Sequence, residues 1–194
     1  SILLVLLFHF ELFSFSGGFI GVDVFFVISG YLITTIIINK DEFNIINFYL
    51  KRLRRLFPII LLVTSLSLII SLFLFSPVHF IRLIDSSLSA IFGLSNFFFW
   101  SEYGYFDFNK NFKPLLHTWS LSVELQFYLM WPMLIFFLKK YNRKTIISVL
   151  LILLLLSLIS SFLYSGRSSS FFYFPGFRIY EFSLGGIIYF YNNN

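Results

Sequence analysis

Apolar residues run along this chain in stretches too long for strands. The stretches occupy about 1–13, 18–38, 56–75, 86–100, 115–138, 145–164 and 176–191. A helix needs ~20 apolar residues to cross the hydrocarbon of a bilayer. The stretches at 18–38, 56–75, 115–138 and 145–164 meet that length. None alternates apolar and polar positions as barrel strands do. The pattern predicts an all-α fold, a polytopic transmembrane helix bundle with about six to seven hydrophobic segments. No internal repeat, low-complexity linker or soluble domain interrupts it.

The stretch at 86–100 is the weakest, because it is short and carries Ser86, Ser87, Ser89, Gly93, Ser95 and Asn96. Charge patterning bears on the same stretch. One basic loop holds Lys40, Lys51, Arg52, Arg54 and Arg55, and another holds Lys139, Lys140, Arg143 and Lys144. Positive loops sit in the cytoplasm. Three segments separate the two loops, and three full crossings would put them on opposite sides. A re-entrant or broken segment at 86–100 resolves the conflict, since irregular backbone is tolerated where protein covers it. The loop 101–114 would then lie outside the cytoplasm.

Composition agrees with this class. The chain is 58% hydrophobic and 12% charged, against about a quarter charged in soluble domains. It has no cysteine, which excludes disulfides and thiolate chemistry. The net charge of +5 falls in clusters, which points to membrane topology and anionic ligands and away from nucleic acid. The first stretch has no basic leader or small-residue cleavage site, so it does not read as a complete signal peptide. Both ends lie in or just after apolar stretches, and a fragment truncated at both ends is expected. Trp100, Trp119 and Trp131 read first as interfacial anchors.

Against this apolar background, ionisable residues stand out, because each costs on the order of 2.5–3.5 kcal/mol at membrane depth. His9, Glu11 and Asp23 fall within the first 34 residues. A neutral imidazole can accept a proton near physiological pH, so His9 is a candidate general base, with a packing histidine as the even alternative. Glu11, two residues on, points to another face of a helix. Gly17, Gly18, Gly21 and Gly30 suit a helix-packing face, but Asp23 among them needs a partner if buried. His9 is the nearest candidate, and an Asp–His pair would orient the imidazole.

Two further clusters could carry chemistry. Arg52 and Arg55 in FYLKRLRRLFP share a helical face and suit phosphate, although a positive-inside or lipid-headgroup anchor is favoured on the residues alone. His117, Ser120 and Glu124 in PLLHTWSLSVELQFYLMWP are spaced three and four apart, as one polar stripe facing a bundle interior or a watery cavity. No nucleophile elbow accompanies Ser120, and no metal-ligand set surrounds His117. Arg178 and Glu181 in FRIYEFSLGG are spaced to pair with each other, most simply as a structural contact.

Taken in order, the blocks LLVLLFHF, GGFIGVDVFFVISGYLIT, FYLKRLRRLFP, LSNFFFW followed by GYFD, PLLHTWSLSVELQFYLMWP and FRIYEFSLGG resemble acyltransferase family 3. These are multi-pass membrane enzymes that O-acylate bacterial surface polysaccharides and related acceptors. The resemblance covers nearly all of the chain, as the amino-terminal half to two-thirds of the family's membrane domain. It implies that His9 is catalytic, with a family Arg that would fall before Ser1. It implies that Arg52 and Arg55 handle acyl-CoA at the cytoplasmic face. Asp23 and Glu124 would support His9 as further catalytic residues. His117 and Ser120 would line the acceptor path. The family block usually reads SVEEQ. Here Leu125 replaces the second acid, which puts in doubt any role requiring two carboxylates.

The implied reaction transfers an acyl group, acetyl by preference, from acetyl-CoA or another acyl-CoA to a sugar hydroxyl. No cofactor is expected to be permanently bound. Expected partners are acyl-CoA, membrane lipids and a carbohydrate or lipid-linked glycan acceptor, at the bacterial inner membrane. Lipopolysaccharide, exopolysaccharide, peptidoglycan, a Nod-like oligosaccharide and a macrolide remain open as acceptors. The competing class is a polytopic transporter, whose substrate path would also carry intramembrane polar residues. Consumption of acetyl-CoA separates the two.

Overall fold

The computed structural model describes residues 20–40, 42–102, 113–164 and 173–192. Among them, the helices are α1 (Ile20–Ile38), α2 (Ile45–Leu74), α3 (Pro77–Ile91), α4 (Ser95–Glu102), α5 (Thr118–Leu138), α6 (Arg143–Tyr164) and α7 (Ile179–Asn192). A 3-10 turn, Pro175–Arg178, precedes α7, and the described residues contain no strand. Helices α1, α2, α5 and α6 are long and apolar enough to cross a membrane, matching the four stretches picked by length.

The start of α2 departs from the sequence reading. Lys51, Arg52, Arg54 and Arg55 lie within the helix, not in a loop before it. Asn44 caps α2 by accepting the Asn47 amide at 2.9 Å, and Leu, Lys and Arg are all good helix formers. The basic cluster therefore forms the first turns of a 30-residue helix, which is ~45 Å long and exceeds the hydrocarbon thickness.

The chain forms two compact units. One comprises 1–43, 130–166 and 176–194; the other comprises 44–129 and 167–175. In the first, α7 packs closely on α1. An ideal Cβ at Gly30 would sit 2.8 Å from Phe182 Cα, and one at Gly185 would sit 2.6 Å from the Tyr31 nitrogen. Only glycine permits that approach. Phe26, Ile33, Ile37, Ile135, Leu150 and Phe182 form the buried interior, where the Phe26 and Phe182 rings stack at 5.3 Å. Thr34 Oγ1 donates to Gly30 O at 2.7 Å and accepts from Trp131 Nε1 at 3.2 Å, so the indole is partnered within the core.

In the second unit, the stretch 86–100 is broken, as its composition predicts. Helix α3 ends in a Schellman motif, with Leu94 N–H donating to Ser89 O at 2.7 Å and Gly93 N–H to Ala90 O at 3.1 Å. Gly93 takes φ +69°, a conformation open to glycine at little cost. The polar residues that weakened this stretch serve the break. Ser95 Oγ lies 2.7 Å from Ser122 Oγ. Gln126 Nε2 donates to Gly93 O at 2.8 Å and to Asn96 Oδ1 at 2.9 Å.

Candidate functional site

Within the second unit, α2 and α5 bring three nominated residues into one electrostatic cluster. Glu124 on α5 is only 5% exposed. One turn later, Tyr128 donates its hydroxyl to Glu124 Oε1 in a short hydrogen bond. The Arg52 guanidinium lies over the Tyr128 ring at 4.7 Å and near the Phe48 ring at 5.5 Å. A cation over an aromatic face is held by the ring quadrupole, so Tyr128 carries Arg52 on its face and Glu124 on its hydroxyl. Both Arg52 and Arg55 attract the Glu124 carboxylate.

Arg52 is half-buried. Among the described residues it has no hydrogen bond or ion pair, and its guanidinium rests against the two rings. Its planar fork of donors is thus available to an anion. Arg55 is exposed, one turn further along α2. Beside Arg52 opens a cleft of about 490 Å³, within the size range of ligand sites. Its walls are largely apolar, with Leu53, Phe92, Leu94, Leu125 and Leu129 among them. Leu125, the departure from the family block, is one of these wall residues.

The predicted stripe is only partly assembled. His117 lies exposed in the turn before α5, not on the helix. Ser120 is half-buried and its hydroxyl donates to the His117 carbonyl at 3.2 Å. The hydroxyl on Glu124 belongs to Tyr128, which sequence reasoning missed although the spacing of four from Glu124 was available as a signal.

A second cluster lies in the first unit. Asp23 on α1 is bound by Arg178, whose Nη1 donates to Asp23 Oδ1 at 2.5 Å and to Glu181 Oε1 at 2.8 Å. Glu181 is 1% exposed and Asp23 29%. The expected Arg178–Glu181 pair is present, but it is one arm of a triad whose other arm is Arg178–Asp23. The partner expected for Asp23 was His9, which lies outside the described residues. Within them, the carboxylate is taken up by Arg178. The turn carrying Arg178 is held to α6 by two serines. Ser157 Oγ donates to Gly176 O at 3.0 Å and accepts Tyr180 N–H at 3.2 Å, and Ser161 Oγ donates to Phe177 O at 3.1 Å. Nothing in local spacing linked Asp23 to a residue 155 positions away. Among the described residues, no group of three or more His, Asp or Glu is placed to hold a metal ion.

Four membrane-length helices, buried charge and a cation at an apolar cleft define a polytopic integral membrane protein. The family model for the acyltransferase domain, acyltransferase family 3, matches residues 1–194, and the chain belongs to that family. It is 34% identical to O-acetyltransferase OatA of Staphylococcus aureus strain NCTC 8325, over 96% of this chain and 32% of that protein. It is 33% identical to the putative peptidoglycan O-acetyltransferase YrhL of Bacillus subtilis, over 95% of this chain and 31% of that protein. An uncharacterized protein of Haemophilus influenzae is 36% identical, over 88% of this chain and 74% of its own length. The chain therefore spans about a third of the length of OatA and YrhL. No solved structure matches significantly.

Proposed function

We propose that this chain belongs to an integral membrane O-acetyltransferase of the bacterial inner membrane, which moves an acetyl group from acetyl-CoA, or another acyl-CoA, to a hydroxyl of a cell-surface carbohydrate. The observation that carries the reading is the family match over residues 1–194. The names of OatA and YrhL favour acetyl as the group, and that of YrhL favours peptidoglycan as the acceptor.

In this reaction the acceptor oxygen attacks the thioester carbonyl carbon and the carbon–sulfur bond breaks. His9 takes the hydroxyl proton, and the departing thiolate takes up a proton to leave as the thiol. Arg52 and Arg55 hold the donor phosphates, a role supported by the open fork of Arg52. Glu124 acts through Tyr128, fixing the ring on which Arg52 rests. Asp23, clamped by Arg178, supports His9, while His117 and Ser120 line the acceptor path.

The test uses membranes containing the full-length protein, supplied with acetyl-labelled acetyl-CoA. Label is expected to pass to polysaccharide in the wild type and to be lost in His9→Ala. Transfer that persists in His9→Ala removes the base assignment. Failure to label any of a panel of surface glycans removes the acetyl-CoA reading.

A further inference from the structure

The cleft beside Arg52 has properties that donor phosphates alone do not use. On the estimate that a water-sized unit occupies ~30 Å³, 490 Å³ has room for on the order of fifteen chain atoms. Its polar side chains other than Arg52 are already engaged. Tyr49 donates to Leu129 O at 2.7 Å, Gln126 is taken by Gly93 O and Asn96, and Tyr128 by Glu124. A polar arm with amide groups would find few partners there, whereas a hydrocarbon chain loses nothing. The lip is formed by exposed apolar residues, Leu53, Phe92, Leu94 and Leu129, so the mouth of the hollow is itself apolar and suits a hydrocarbon chain. One cation stands directly at this apolar hollow, and Lys51, Arg54 and Arg55 surround it in sequence. The ligand that matches has a phosphate joined closely to a hydrocarbon tail.

We infer that the cleft seats one acyl chain of an anionic phospholipid, with its phosphate on the Arg52 guanidinium, so that lipid and donor compete for one cation. Basic sites at the cytoplasmic ends of helices bind anionic headgroups in this way. The competition rests on the donor role proposed for Arg52; the lipid seat does not.

The experiment uses the full-length protein in nanodiscs of phosphatidylcholine with or without phosphatidylglycerol. Native mass spectrometry reads retained lipid, and label transfer reads the donor KM. Phosphatidylglycerol is expected to stay on the wild type and to be lost from Arg52→Gln. It is also expected to be lost from Leu125→Trp and Leu53→Trp, which fill the cleft, the latter from an exposed position that tolerates bulk. Dioctanoyl phosphatidylglycerol should displace the lipid, and inorganic phosphate should not. Retention by the cleft-filling variants, no retention by wild type, or equal displacement by inorganic phosphate overturns the seat. The donor KM should rise several-fold with phosphatidylglycerol at unchanged kcat. An unchanged KM with the lipid bound overturns the competition alone. Lipid retention is read without any acyl transfer, so failure of the transferase reading is seen separately.

Discussion

Replacing Arg178 with Met leaves Asp23 and Glu181 without the cation they share. Both carboxylates bond one guanidinium nitrogen, at 2.5 and 2.8 Å, so their oxygens are close neighbours. Two like charges at roughly 5 Å repel by about 3 kcal/mol at an effective dielectric constant near 20. Removing one partner of a buried ion pair costs about 3–5 kcal/mol in general. Glu181, 1% exposed, has no route to water, whereas Asp23, 29% exposed, can partly hydrate and relieve its share. The expected loss is therefore near the lower end, about 3 kcal/mol. The triple replacement Asp23→Asn, Arg178→Met, Glu181→Gln removes all three charges and should recover most of that loss. Thermal unfolding of the full-length protein in detergent, followed by tryptophan fluorescence, measures both. An Arg178→Met protein as stable as wild type, or a triple variant no more stable than the single one, would refute the view that this triad is an energetically coupled unit.

Gly185→Ala forces a methyl against the Tyr31 backbone and should cost about 1–3 kcal/mol, seen as a lower unfolding midpoint, while Ala at the exposed Ser101 should change little. Gly93→Ala places a side chain at φ +69° and should cost about 1 kcal/mol in the same assay; an unchanged midpoint would remove the argument for a glycine-dependent break. Tyr128→Phe keeps the ring beneath Arg52 but leaves a buried Glu124 oxygen without its donor, for a loss of about 1–3 kcal/mol; Glu124→Gln combined with Tyr128→Phe should lose less than the sum of the single changes. Arg52→Lys keeps a charge but gives up the planar fork and the stacking. The donor KM should rise about tenfold with kcat retained, and an unaltered KM would count against the donor assignment.

The membrane helices were legible because length and composition decide them: every stretch long enough to span appears as a long apolar helix. The start of α2 was not, because a hydropathy boundary is not a helix boundary. Asn44 and good helix formers carry the helix across the charged turns that an apolar window excludes. The contacts within the site divide in the same way. Arg178–Glu181 is local and followed from spacing, and Glu124–Tyr128 could have followed from the same rule. Asp23–Arg178 joins α1 to the turn before α7, 155 positions away in sequence, and its register depends on the glycine contacts of α1 with α7, which no single-segment pattern encodes.

The break in 86–100 ties helix geometry to the cleft. Fifteen residues give α3 a rise of ~22 Å, short of the ~30 Å of hydrocarbon, and it stops beside apolar residues, Phe92, Leu94 and Leu125. A helix that stops there leaves carbonyls to satisfy. The Schellman bonds and the amide of Gln126 meet that need at Ser89, Ala90 and Gly93. Gln126 comes from α5, from the same few residues that place Glu124 and Tyr128, so the group that completes the break also fixes the break against the helix carrying the ring under Arg52. Phe92, Gly93 and Leu94 thereby become cleft wall and not helix. An apolar residue at 126 would leave the Gly93 carbonyl without this donor, and a continuous helix through 93 would remove the wall altogether. The polar residues that make this stretch look like a poor membrane segment are, on this argument, the condition for a hollow beside a guanidinium whose donors are open to an anion.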